Sequence, residues 1–194
     1  MPGRPAPARS CAEPLELSYP RGVAPGYAVK QAADLMDAAF LARWTDREAI
    51  GPLARQLLGV ILRRLAAGEG ALSLTGLLSD HAPATVARAV AELDQRDLVL
   101  VEAGAVVLAY PFSTRMNAFR LEPTDRRPRY ACCAFDALGV AALMGEAITI
   151  HSRCHDCGDA LVLRTGPDGP LEPTPAMVWL GKREDIRAKA CTGL

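Results

Sequence analysis

The stretch RYACCAFDAL, residues 129–138, sets a thiol and a carboxylic acid three residues apart, Cys133 and Asp136, with a second thiol, Cys132, beside the first. The apolar spacing of CAFDALGVAALMG predicts a helix that opens at the cysteine pair and ends at Gly145. Residues three apart share a face of such a helix. A thiol at a helix N-terminus feels the positive end of the peptide dipole, which lowers its pKa and favours thiolate. Asp136 lies among Phe135, Ala137 and Leu138, and burial there would raise its pKa and let it hold a proton near neutral pH. One face would then offer a soft nucleophile and a proton donor. The plainer alternative makes Cys133 a core filler and Asp136 a solvated first-turn acid.

A second cluster is HSRCHDCGD, residues 151–159. Cys154 and Cys157, followed by Gly158, resemble one knuckle of a zinc site, in which a tight turn aims both sulfurs at one metal. A structural zinc needs four ligands, and the sequence has no second CxxC. His151, His155, or a thiol from 132, 133 or 191 would have to complete the set. A redox role for the pair lacks its usual thioredoxin-like βαβ context. His151 could serve as base to a Cys133 nucleophile in a cysteine hydrolase, although a lone strand histidine is more often structural. DRRPR, with Arg126, Arg127 and Arg129, reads as a solvated turn, and Met177 and Trp179 as core.

The elements that must position these groups fall into an α+β order. Residues 1–28 are rich in Pro, Gly and Ala and read as a flexible arm, with Cys11 incidental. Residues 29–112 read as a winged-helix-like helical lobe. AVKQAADLMDAAFLARW has helical spacing; DREAIGPLARQLLGVILRRLAAGEG gives a second helix, capped by Asp46 or a neighbour and ended by Gly68. SLTGLLSD reads as a short helix, and APATVARAVAELDQRD as another, burying Val86, Ala89, Val90 and Leu93. LVLVEAGAVVLAYPF reads as two strands joined at Ala103–Gly104. Residues 113–194 read as a small mixed or antiparallel sheet lobe with a helix carrying the Cys-x-x-Asp motif. Its expected strands are NAFRLE, RPRYA, AITIHS, ALVLRT and AMVWL, before a charged segment, GKREDIRAKA, that leads to Cys191.

Composition narrows the function. Half the 194 residues are hydrophobic, enough for one sizeable core. Lys plus Arg and Asp plus Glu both number 22, so no global field favours nucleic acid or an anionic membrane. A winged helix would read DNA with residues 84–96. There Arg88 and Arg96 are offset by Glu92 and Asp94, with Asp97 just beyond. That is not the cationic excess a phosphate surface needs, so no DNA partner is expected. The first twenty residues hold no signal-like apolar run, and no segment is suited to span a bilayer. The expectation is a soluble cytoplasmic protein whose six cysteines are mostly reduced thiols.

RPRYACCAFDALGVAALMGEAITIHSRC resembles the alkylmercury (organomercurial) lyases, the MerB family of bacterial mercury resistance. Tyr130, Ala131, Cys133, Ala134, Asp136, Gly145 and Cys154 fit the family signature, while Cys132 stands where an aromatic is usual. EDIRAKAC resembles the segment leading to the second active-site cysteine, which places that role on Cys191. The likeness spans roughly residues 47–191, strongest at 128–154, and includes an upstream winged-helix-like module that does not bind DNA. It implies cleavage of a carbon–mercury bond by protonolysis, with Cys133 and Cys191 holding mercury and Asp136 delivering the proton. Soft thiolates suit the soft metal. No organic cofactor is implied. The substrate would be a small organomercurial, Hg(II) would stay bound as product, and thiol acceptors or a mercuric reductase would remove it. The competing reading is a non-catalytic thiol protein that binds or senses a metal, with Cys132, Cys154 and Cys157 as further ligands and a candidate zinc at the last two; a diverged homologue with another substrate is a third.

Overall fold

The computed structural model describes residues 38–178 apart from positions 126, 156 and 175. The arm, Cys11, the first part of the helix expected from residue 28, Trp179, the segment 181–190 and Cys191 lie outside the described residues. The architecture is α+β, helices with an antiparallel sheet. Helices α1 (Ala38–Glu48), α2 (Pro52–Ala66) and α3 (Pro83–Gln95) precede most of the strands, and α4 (Ala134–Met144) falls among them.

Pro52 and Pro83 open α2 and α3 at the first helical position, where a missing N–H costs nothing. Asp46 does not cap α2. Helix α1 runs on to Glu48, Gly51 is the N-cap, and the Asp46 carboxylate instead accepts from Arg96 at 2.8 Å. Gly51 N–H donates to Glu92 Oε1 at 2.7 Å, which ties the start of α2 to α3. Glu92 and Arg96 of the would-be reading helix thus engage the start of α2 and the end of α1. Residues 73–80 are not helical: Leu72–Ser73 is strand β1, pairing with residues 105–106, and Gly76 at φ +83° turns the chain away. The leucines at 74, 77 and 78 have helical spacing, but a left-handed residue among them breaks the run.

Strands β2 (Val99–Glu102) and β3 (Ala105–Ala109) form the expected hairpin. Its two-residue turn, Ala103 and Gly104, has positive φ at both positions, the geometry that matches strand twist. Then β4 (Phe112–Ser113) pairs with β3 on one side and with β6 (Arg129–Ala131) on the other. Residues 112 and 113, where the two lobes are expected to meet, therefore lie within a strand that joins them. Beyond β6 come β5 (Arg120–Glu122), β7 (Ile148–Arg153), β8 (Ala160–Gly166) and β9 (Gly169–Pro170), all antiparallel neighbours in one nine-stranded sheet. One buried cluster runs from Leu57 and Leu93 in the helices to Val140, Ile148 and Ile150 in the second half.

Two further expectations fail. Residues 176–178 form no strand, and Met177 is 59% exposed. Pro173 and Pro175 lie just before this stretch, and proline removes the donors a ladder needs. Arg129 is not a solvated turn residue either. It is 5% exposed, its guanidinium gripping the Asp125 carboxylate at 2.8 and 2.7 Å and donating to the carbonyls of Arg127 and Ala66. The Ala66 contact pins the end of α2 to β6. Among the described residues no helix is long and apolar enough to cross a membrane.

Candidate functional site

Helix α4 begins where β6 ends, and backbone and side-chain groups clamp that junction. Ala131 N–H donates to Phe119 O at 3.0 Å, Cys132 N–H to Pro111 O at 3.0 Å, and Asn117 Nδ2 to Ala131 O at 2.7 Å. Cys133 is the N-cap of α4, extended at φ −151°, ψ −179°, with its carbonyl accepting the first helical bond from Ala137 at 2.9 Å. Ala137, Val140 and Ala141 seat the helix in the core, and Gly145 closes it in the left-handed conformation, φ +69°. Asp136 occupies the first turn. Its Oδ2 accepts a hydrogen bond from Cys133 Sγ at 3.0 Å. The expected pairing on one face is what the chain builds.

The electrostatics differ from the expectation at the sulfur. Burial pushes the Cys133 thiol up from 9.0 to about 12; the backbone N–H of Asp136 pulls it down, but the Asp136 side chain adds a hydrogen bond and a negative charge that raise it further. The helix N-terminus therefore does not yield a resting thiolate, because desolvation and a neighbouring carboxylate outweigh it. Asp136 itself is raised, as expected, by burial; the Cys133 hydrogen bond and the charge of Arg47 pull the other way. In the resting pair the Cys133 thiol keeps its proton and donates it in the hydrogen bond to Asp136.

Arg47 comes from α1, and nothing in the local sequence announces it. Its guanidinium donates to Asp97 Oδ2 at 2.6 Å and lies 5.6 Å from the Tyr110 ring centroid, while Tyr110 Oη donates to Asp97 Oδ1 at 3.3 Å. Tyr110 adjoins Pro111, whose carbonyl holds Cys132. A separation of fifty residues between Arg47 and Asp97 leaves no short-range signal to find this cluster.

The other candidates are distributed as follows. Cys132 precedes the extended Cys133, and side chains along extended backbone point to opposite sides. Cys154 and Cys157 sit at the tip of the β7–β8 hairpin. His151 bonds Glu122 Oε2 at 2.8 Å rather than Cys133. It alternates with the buried Ile148 and Ile150, so it projects from the opposite face of the sheet. The four described cysteines are thiols. Among the described residues no three Cys, His, Asp or Glu side chains gather as a metal site, so Cys154 and Cys157 have no third described donor for a zinc.

The sequence pattern of the family described as Alkylmercury lyase matches residues 112–193. Alkylmercury lyases of Bacillus cereus and Clostridium butyricum are each 36% identical over 64 residues, covering 32% of this chain and 29% of the relative. That of Staphylococcus epidermidis (strain ATCC 12228 / FDA PCI 1200) is 32% identical over 100 residues, 49% of this chain and 45% of the relative. The chain thus spans less than half the length of these curated relatives. In three dimensions it resembles the mercury-bound form of MerB2, with a TM-score of 0.59 and 21% identity over 69% of this chain and 65% of that one, a likeness of fold. The family pattern spans the segment that carries Cys133 and Asp136, and over residues 112–193 the chain is similar to the alkylmercury lyases.

Proposed function

We propose that this chain cleaves carbon–mercury bonds by protonolysis. The observation that carries the reading is the 3.0 Å hydrogen bond from Cys133 Sγ to Asp136 Oδ2 at the start of α4, inside the family segment. A soft sulfur attacks the mercury of a small organomercurial. As the sulfur–mercury bond forms, the thiol proton passes to the adjacent carboxylate, whose raised pKa suits it to hold that proton. Asp136 then delivers the proton to carbon, the hydrocarbon leaves with the bonding pair, and Hg(II) stays on sulfur. Cys191, outside the described residues, is the second sulfur in this proposal. External thiols or a mercuric reductase remove the product. The helical half, winged-helix-like in this reading, serves as a structural support, which its internal ion pairs favour over a DNA-binding role.

The test is direct. Purified protein is incubated with phenylmercuric acetate and excess small thiol, and released benzene is assayed. Release above the protein-free control supports the lyase; mercury uptake without benzene makes the chain a thiol metal-binding protein.

A further inference from the structure

The sheet register brings a second pair of thiols to the same end of the molecule as Cys133. Strands β6 and β7 both pair antiparallel with β5, so they run parallel with one strand between them. Tyr130, Arg120 and His151 share one row across the three strands. Three residues further along their own strands, Cys133 and Cys154 leave the sheet at the same end. Two interstrand steps put those exits roughly 10 Å apart.

At the second exit the chain makes a closed tip. Cys154 N–H donates to Asp159 O at 2.8 Å, Gly158 N–H returns to Cys154 O at 3.0 Å, and Gly158 takes φ +76°. Both cysteines are half-buried. The two histidines nearby do not complete a four-donor set: His151 is bonded to Glu122, and no three-donor group exists among the described residues. Among the described residues a tetrahedral zinc is therefore short of ligands. A soft cation satisfied by two sulfurs is not.

We propose that Cys154 and Cys157 form a second mercury(II) site, separate from Cys133, for a cation held by two thiolates at the β7–β8 tip. Each S–H gives its proton to solvent, or to the thiolate it displaces, as a Hg–S bond forms, and no oxidation state changes. Because the second sulfur is supplied by the same turn, the pair holds the cation against single-thiol competitors through its high effective concentration. The proposal goes beyond the lyase reading and does not depend on it.

The full chain, reduced and held in excess glutathione, is titrated with mercuric chloride and the retained mercury counted per chain by native mass spectrometry. The expected result is that C154S/C157S retains one mercury fewer than wild type, and that the same loss appears in a Cys133→Ser background. Equal counts with and without Cys154 and Cys157 overturn the site. A single mercury or zinc bridging two chains through all four thiols also overturns it in its two-sulfur form. Alkylation mapping on the unmutated chain guards against a folding defect. Bound Hg(II) should protect Cys154 and Cys157 from iodoacetamide together, and independent modification of the two refutes the site. Benzene release, read in parallel, reports on the lyase reading alone.

Discussion

Asp136→Asn separates the two jobs assigned to that side chain. The amide is nearly the same size and can still accept a hydrogen bond from Cys133, but it carries neither charge nor transferable proton. Asp136 raises the Cys133 thiol in two ways, by its hydrogen bond and by its charge, on top of burial. The gap between 9.0 and about 12 corresponds to roughly 4 kcal/mol, the net of burial and the carboxylate, which raise the thiol, against the backbone N–H groups of Asp136 and Phe135, which lower it. Removing the charge should bring the thiol down, so Cys133 becomes a better sulfur donor while the proton source is lost. Two measurements follow the two effects. Hydrocarbon release from an organomercurial under excess thiol should fall by about 10²–10⁴, the usual worth of a positioned general acid. The pH at which Cys133 becomes reactive to iodoacetamide, read by peptide mass spectrometry, should move down. Near-normal release by the variant, or an unmoved alkylation profile, would refute the coupling of Asp136 to Cys133.

Arg129→Met should destabilise the fold by about 3 kcal/mol in urea unfolding, since it strands the Ala66 carbonyl and removes a buried charged hydrogen-bond donor; a loss below about 0.5 kcal/mol would show that the clamp is dispensable. Asp125 is held well below the usual carboxylate range, first by its bonds from Arg129 and then by the Arg127 N–H. A depressed folded pKa adds stability above the unfolded value near 3.8 and loses it as pH falls below that value. Wild type should therefore lose stability on acidification below pH 4 more steeply than Asp125→Asn, and parallel curves would exclude the pair as the cause. Two glycines of α4 should respond with opposite sign, because an added Cβ meets nothing within 4 Å at either. Gly139→Ala, in an exposed helix interior, should gain about 0.5–1 kcal/mol, whereas Gly145→Ala, at φ +69°, should lose about 1 kcal/mol; thermal melts decide both.

What could be seen in the sequence was local. Helix α4 was legible from end to end, because the N-cap, the first-turn acid and a left-handed glycine lie within twelve residues of one another. The β2–β3 hairpin was legible from its Ala103–Gly104 turn. What escaped depends on distant partners. Arg129 looks solvated beside Arg126 and Arg127 until the Ala66 carbonyl, far back along the chain, is found against it. Leu72 and Ser73 become a strand only because residues 105 and 106 offer an edge. The thiolate expected at Cys133 followed from the helix N-terminus alone; the opposing burial is a property of the packed molecule.

Strand β4 is two residues long, yet it has a neighbour on each side: Ala109 stands opposite Phe112 on one and Ala131 on the other. Cutting the polypeptide nearby, for instance at Met116, which is 83% exposed, would leave two fragments, each with a raw sheet edge that the other fits. Such fragments are expected to aggregate when made singly and to reassemble when made together. The thiol-bearing helix is consequently not a graftable cassette: moved to another scaffold without residues 111–113 and 117–119, it would lose the groups that fix where its first turn begins.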